Sequence, residues 1–226
     1  MGVARHVVRP IMALAAIAAL GACDSEDFIN VVAGTQLVIS APTNGQTAPV
    51  GTALPLPLSV RVLDPAGNPV AGATVSWAVI GNGGAVSAAT SESDVNGDAS
   101  VVWTMPALTG VYSVQASLRS GATADFTATA TAGPVAQLVL LSGQDQFIPA
   151  GTTTAPLAIQ AFDALGNPAA GIQITYATTA GTLSATFVLT DADGKASVTL
   201  TTAAGPYTVT ASSGNASPIV FAGNGT

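Results

Sequence analysis

Any chemistry in this chain falls to its carboxylates. His6 is the single histidine and Cys23 the single cysteine among 226 residues, and both lie near the start. With no other imidazole or thiol, Ser-His-Asp and Cys-His nucleophilic arrangements, a histidine base and a His/Cys metal site have no residues to be built from. Carboxylate acid-base work is the remaining enzymatic option, with Glu92 beside Asp94 or Asp98, and Asp191 beside Asp193, as its residues. Calcium is the rival ligand. Asp94, Asn96 and Asp98 alternate oxygen-bearing side chains as a calcium loop does, and Asp191 and Asp193 repeat the first two places. Gly97 comes too early for an EF-hand, no Glu follows at the right distance, and Lys195 takes the third place in the second set. Asp and Asn favour tight turns on their own account. The expectation is therefore turn residues, with no catalytic residue, no metal and no cofactor.

The acidic turns belong to a repeat. Asp64 to Gly72 returns as Asp163 to Gly171, Asp94 to Val101 as Asp191 to Val198, and Gly110 to Ser117 as Gly205 to Ser212, at separations of 99, 97 and 95 residues. A drifting separation means that loops differ while strands do not. Between the turns the apolar residues have period two: Leu56, Leu58, Val60 and Val62; Val75, Trp77 and Val79; Val101 and Trp103; Tyr112, Val114 and Ala116. The second copy repeats these faces as Ile172, Ile174 and Tyr176, then Val198 and Leu200, then Tyr207, Val209 and Ala211, while the face of the strand near Ala158, Ala161 and Phe162 is ambiguous. No stretch has a helical period with caps. The pattern predicts an all-β chain of two tandem antiparallel sandwiches, residues 35–131 and 132–226, with seven or so strands each. Pro55 and Pro57 place the start of their strand on an edge, and the short link at Ala132-Gly133-Pro134 predicts domains stacked end to end.

The first residues are not part of that fold. Arg5, His6 and Arg9 precede an apolar run, Ile11 to Ala22, too short for a spanning helix, in the layout of an export signal. Leu20-Gly21-Ala22-Cys23 resembles the lipobox of bacterial lipoproteins, which implies cleavage after residue 22 and a covalent lipid on Cys23. Residues 1–22 are then the signal and 23–34 the lipidated cysteine and tether. Removing the signal leaves Arg61, Arg119 and Lys195 against all 12 acidic residues, a net charge of −9. Such a surface repels phosphate backbones, so no nucleic acid is expected as a partner. Membrane attachment falls to the lipid rather than to a basic patch.

The repeated segments resemble the bacterial immunoglobulin-like domains of group 1, the modules of intimin- and invasin-type surface proteins. The resemblance rests on Asp64 to Trp77 and Asp163 to Tyr176, on the Asp-x-x-Gly-x-Ala turns from Asp94 and Asp191, and on the Gly-x-Tyr-x-Val-x-Ala strands from Gly110 and Gly205. It implies immunoglobulin-like sandwiches used as spacers and adhesive modules. In that frame Asn68-Pro69 and Asn167-Pro168 are turns, Asp94 to Gly97 and Asp191 to Gly194 are hairpin turns, and Tyr112 and Tyr207 stand at the tyrosine corner. Trp77 and Tyr176 stand at the core aromatic position, with Val60, Val62 and Val114 filling the space of a disulfide.

Taken together, these readings predict a non-enzymatic, lipid-anchored protein of the bacterial cell envelope, periplasmic or surface-facing, that acts as a spacer or protein-binding module. An accessory structural subunit of a larger membrane complex and a carbohydrate-binding surface module are the alternatives. The partners expected are the membrane, through the lipid, and an envelope protein. Phe147, Phe187 and Phe221 are the aromatics left for a sugar platform.

Overall fold

A computed structural model describes residues 36–226. The signal, the lipobox residues Leu20, Gly21, Ala22 and Cys23, and the tether to residue 34 lie outside the described residues.

The first domain runs through β1 (Gln36–Ile39), β2 (Gln46–Pro49), β3 (Leu58–Leu63), β4 (Thr74–Ile80), β5 (Ala85–Val86), β6 (Thr90–Glu92), β7 (Asp98–Val101), β8 (Trp103–Thr104), β9 (Gly110–Leu118) and β10 (Thr123–Thr131). One sheet has the order β1-β3-β7 and faces a second, β2-β10-β9-β4-β6, while β5 and β8 form a small ribbon. The second domain repeats the order through β11 (Val135–Ser142), β12 (Gln146–Ile148), β13 (Leu157–Asp163), β14 (Gln173–Thr178), β15 (Thr182–Leu183), β16 (Phe187–Leu189), β17 (Lys195–Val198), β18 (Leu200–Thr201), β19 (Gly205–Ser212) and β20 (Ile219–Gly225). Its sheets are β11-β13-β17 and β12-β20-β19-β14-β16, with β15-β18 as the ribbon. Two pairings are parallel, β2 with β10 and β12 with β20; the rest are antiparallel. Among the described residues there is no helix.

Alternation puts one face of each strand in the core. Leu58, Val60, Val62, Val75, Val114, Ala116 and Phe126 are fully buried in the first domain, and Leu157, Ile159, Ala161, Ile174, Val209, Ala211 and Phe221 in the second. Each Val, Leu, Ile or Phe among them contributes about 1.5–3 kcal/mol relative to leaving it in water. Val60, Val62 and Val114 occupy the space between the sheets, and the Trp77 and Phe126 rings pack at 5.8 Å between centroids. The inward face near Ala158 is Leu157, Ile159 and Ala161, which resolves the ambiguity of that strand.

Three expectations are corrected. Pro55 and Pro57 precede the strand instead of opening it, and β3, from Leu58, is the centre of its sheet rather than an edge, where every N–H has a ladder to join. Leu56, before the strand, is 41% exposed and is not part of the core face. The turns at Asp94 and Asp191 do not close hairpins: β6 and β7, like β16 and β17, belong to opposite sheets, so these turns carry the chain across the sandwich.

The two tyrosines differ by one methyl group on a neighbouring strand. Tyr112 pairs with Ala128, and its hydroxyl donates to Leu108 O at 3.0 Å, four residues upstream. Tyr207 pairs with Gly223, where a Cβ would come within 2.3 Å of the tyrosine oxygen. The missing methyl lets the Tyr207 ring fold inward to 2% exposure and donate to Gln146 O at 3.3 Å instead.

Candidate functional site

The acidic side chains are absorbed by the turns they stand in. Asp94 Oδ1 accepts the N–H groups of Asn96 (2.8 Å) and Asp98 (2.9 Å), and Gly97, at φ 78°, brings its backbone against Val62 O. A Cβ at Gly97 would lie 2.6 Å from that oxygen, so glycine is required there. The Asp98 N–H is the main reason that the Asp94 carboxyl is held below its ordinary value. Asp191 Oδ1 accepts from Asp193 N (2.9 Å) and Lys195 N (2.8 Å) in the same way, and Lys195 Nζ lies 3.3 Å from Asp193 Oδ2. The Asp98 carboxylate is taken by Arg61, with bonds of 2.9 and 2.7 Å. Glu92 sits exposed at the end of edge strand β6. Among the described residues, no group of three His, Cys, Asp or Glu is placed to hold a metal ion.

The Asp-Gly-Asn-Pro turns, in contrast, are used differently in the two copies. Asp64 accepts the N–H groups of Ala66 and Asn68 at 2.8 Å each, and Asn68 Nδ2 bonds Asp64 Oδ2 at 3.0 Å. Asn68 is exposed, and its bond to Asp64 is the first cause of that carboxyl's lowered pKa. The second copy makes the same internal bonds but is buried: Asp163 is 4% and Asn167 3% exposed. What covers it is the first domain. Asn167 Nδ2 donates to Ala107 O at 2.8 Å, and Asn167 Oδ1 accepts from Thr109 N at 3.2 Å. Asp163 Oδ2 also accepts from Gly133 N in the link at 3.0 Å. Burial pushes the Asp163 carboxyl up, but the Gly133, Asn167 and Leu165 N–H groups outweigh it and leave the carboxyl below its ordinary value.

The open sheet edges differ as well. β6 reads Thr90-Ser91-Glu92, whereas β16, at the same place, reads Phe187-Val188-Leu189. Phe187 is 58% and Leu189 59% exposed. Thr186 O and Thr190 N bond inward, to Tyr176 N and Ile172 O. By the alternation of an antiparallel ladder, the backbone groups of Phe187 and Leu189 therefore face the open side. Beside this edge an open groove of about 450 Å³ is lined by Leu141, Ala158, Val188, Leu189, Asp191 and Lys195. Exposed Phe147 lies on β12, the opposite edge of that sheet, and Phe221 is in the core, so the three phenylalanines form no common platform.

Val188 also changes the core. In the first domain Trp77 Nε1 donates to Ser91 Oγ at 2.9 Å. Val188 stands in the place of Ser91, pairing Ile174 as Ser91 pairs Val75, and the Tyr176 hydroxyl finds no partner among the described residues. Burial raises the Tyr176 pKa to about 12. Sequence reasoning named Phe187 only as an aromatic left for a sugar platform, and did not pick out Val188, Leu189, Leu165 or the 106–109 loop. Their signal was a difference between copies: Thr-Ser-Glu against Phe-Val-Leu, Ala66 against Leu165, and four residues from Pro106 to Thr109 where the second copy has Ala203-Ala204.

The family model for the bacterial Ig-like domain (group 1) matches residues 41–132 and again 137–220. Among solved structures, FdeC, an adhesin of Escherichia coli, is similar with a TM-score of 0.58 and 21% identity, covering 84% of this chain and 64% of that one. InvD of Yersinia pseudotuberculosis is similar with a TM-score of 0.52 and 22% identity, over 84% of this chain and 57% of that one. The chain thus spans less than two thirds of either, and at these identities the likeness is one of fold.

Proposed function

Because the chain belongs to the bacterial Ig-like domain (group 1) family and is a non-enzymatic module of it, we propose that it is a lipid-anchored structural and protein-binding component of the bacterial cell envelope. The observation that carries this reading is the contrast between closed chemistry and open surface. The turn carboxylates Asp64, Asp94, Asp163 and Asp191 are engaged by backbone N–H groups, whereas β16 offers an uncharged edge with free backbone groups. An extended segment of a partner protein would add to that edge, with main-chain bonds for affinity and the groove beside Val188 and Leu189 for side-chain specificity. FdeC, whose fold is similar, is an adhesin, and this supports the protein-binding reading. Cys23, acylated after removal of residues 1–22, would tether the first domain to the membrane. Several acyl chains, each contributing about 0.8 kcal/mol per buried methylene, anchor firmly where one is marginal. A sugar-binding role has less support, since Phe147 and Phe187 stand on opposite edges of one sheet.

The test is native-size separation of mildly detergent-solubilised membranes, run for the chain and for Cys23→Ala. Firm membrane attachment lost in Cys23→Ala supports the lipid anchor; attachment that persists overturns it. Stoichiometric co-migration with an integral complex identifies an accessory structural subunit. Co-migration with a soluble envelope protein, lost on Leu189→Glu, supports the β16 edge as the binding surface.

A further inference from the structure

We propose that Leu165 and Asn167 are positioning residues of a single-use joint that fixes the second domain against the first. The inference rests on the junction and the repeat, independently of the anchor and of the β16 edge. The joint has two halves. The second domain supplies a turn, with buried Asn167 bonding Ala107 O and Thr109 N, and with Leu165, 53% exposed, laid at the socket's rim, its Cδ1 3.7 Å from where a Cβ on Gly51 would stand. The first domain supplies the socket, made of Gly51 and the loop Pro106 to Thr109. Gly51 N bonds Pro106 O at 3.0 Å, which ties the two parts of the socket together. The link is fixed from the same turn, through Gly133 N and Asp163 Oδ2.

The repeat provides an internal control for what the joint requires. Asn68, the counterpart of Asn167, makes the same bond to its own aspartate and yet is exposed, so the buried state of Asn167 comes from the socket and not from the turn. Neither half is duplicated. The first domain has Ala66 where Leu165 reaches across, and the second has two residues, Ala203-Ala204, where the socket loop has four. Its Gly151, the counterpart of Gly51, has nothing within 4 Å of its Cβ position. A head-to-tail contact whose halves recur on both units propagates into filaments. Here each half occurs once, so the contact is satisfied within the chain and does not recruit a second copy.

The experiment is an interdomain distance distribution from paired nitroxide labels at Ser120→Cys and Ser217→Cys, one in each domain, in the full chain carrying Cys23→Ala. The chain gives one narrow distribution. Leu165→Ala with Asn167→Ala broadens it about twofold or more, because domains without a sufficient interface move by default. Asn68→Ala, which weakens the equivalent turn without touching the joint, leaves the distribution narrow and thereby separates loss of the joint from loss of the turn. A broad distribution in the starting chain, an unchanged one in the double variant, or equal broadening in Asn68→Ala overturns the proposal. Concentration-dependent dimers that disappear in Asn68→Ala overturn its single-use character.

Discussion

Tyr176→Phe is expected to stabilise the second domain. The side chain is 2% exposed and its hydroxyl finds no partner, because Val188 has replaced the serine that serves Trp77 in the first domain. An orphaned buried polar group costs about 1–3 kcal/mol in lost hydration. Deleting the oxygen leaves a void of roughly 10 Å³, which at about 24 cal/mol per Å³ returns only about 0.2 kcal/mol of that cost. The net gain is about 1–3 kcal/mol, or a rise of roughly 5–15 °C in the melting temperature of a domain this size. Both tryptophans, Trp77 and Trp103, lie in the first domain, so the two domains can be followed separately. Far-UV circular dichroism sees both unfolding transitions, and tryptophan emission sees the first domain alone. In guanidinium, Tyr176→Phe should move the dichroism transition of the second domain to higher denaturant with an unchanged slope, while the emission curve stays in place. A loss of 1 kcal/mol or more would show that the hydroxyl is hydrogen-bonded and would refute the reasoning.

The remaining predictions use the same comparison between copies. Ser91→Ala strands Trp77 Nε1 and should cost about 1 kcal/mol, read as an earlier tryptophan-emission transition with the second domain unmoved. Gly223→Ala puts a methyl against the Tyr207 oxygen and Gln146 O. It should destabilise the second domain by about 1–3 kcal/mol and change the near-ultraviolet dichroism as Tyr207 is driven out of its pocket. At high pH the second domain should weaken from pH 10, where an unfolded tyrosine ionises, toward about 12, where buried Tyr176 does; between the two values the unfolded state releases the proton first. Tyr176→Phe should flatten that limb. At low pH the sign reverses. The Asp163 carboxyl, lowered in the folded state, contributes stability that is complete above the ordinary value of 3.8 and is lost as the pH falls below it. Acid unfolding of Asp163→Asn should lack that component.

What could be read from the sequence is what depends on local pattern. Period two at Leu58, Val60 and Val62, or at Tyr207, Val209 and Ala211, marks strands and their inward faces, because alternation is a property of the strand alone. Asp64-x-x-Gly67 and Asp94-x-x-Gly97 mark turns for an equally local reason: the aspartate accepts N–H groups two and four residues on, and the glycine supplies a positive φ. What was not legible depends on a second segment far along the chain. The direction of Tyr207 is decided by Gly223, the free hydroxyl of Tyr176 by Val188, and the burial of Asn167 by Ala107 and Thr109. Pro57 misled for a related reason. A proline marks a place without a ladder bond, and only the sheet order shows that β3 begins one residue later, between two partners.

The parallel pairing of β2 with β10, and of β12 with β20, has a mechanical meaning. In each domain an early strand and the last one run side by side in the same direction, joined over Gln46 to Pro49 in one case and Gln146 to Ile148 in the other. A pull applied between the two ends of such a domain drags these strands past each other along their length. The bonds of the ladder then share the load and must yield together, whereas an antiparallel hairpin pulled from its open end parts one bond at a time. A module held at one end and loaded at the other would therefore meet the force across the β2–β10 and β12–β20 ladders in shear, with their bonds loaded side by side.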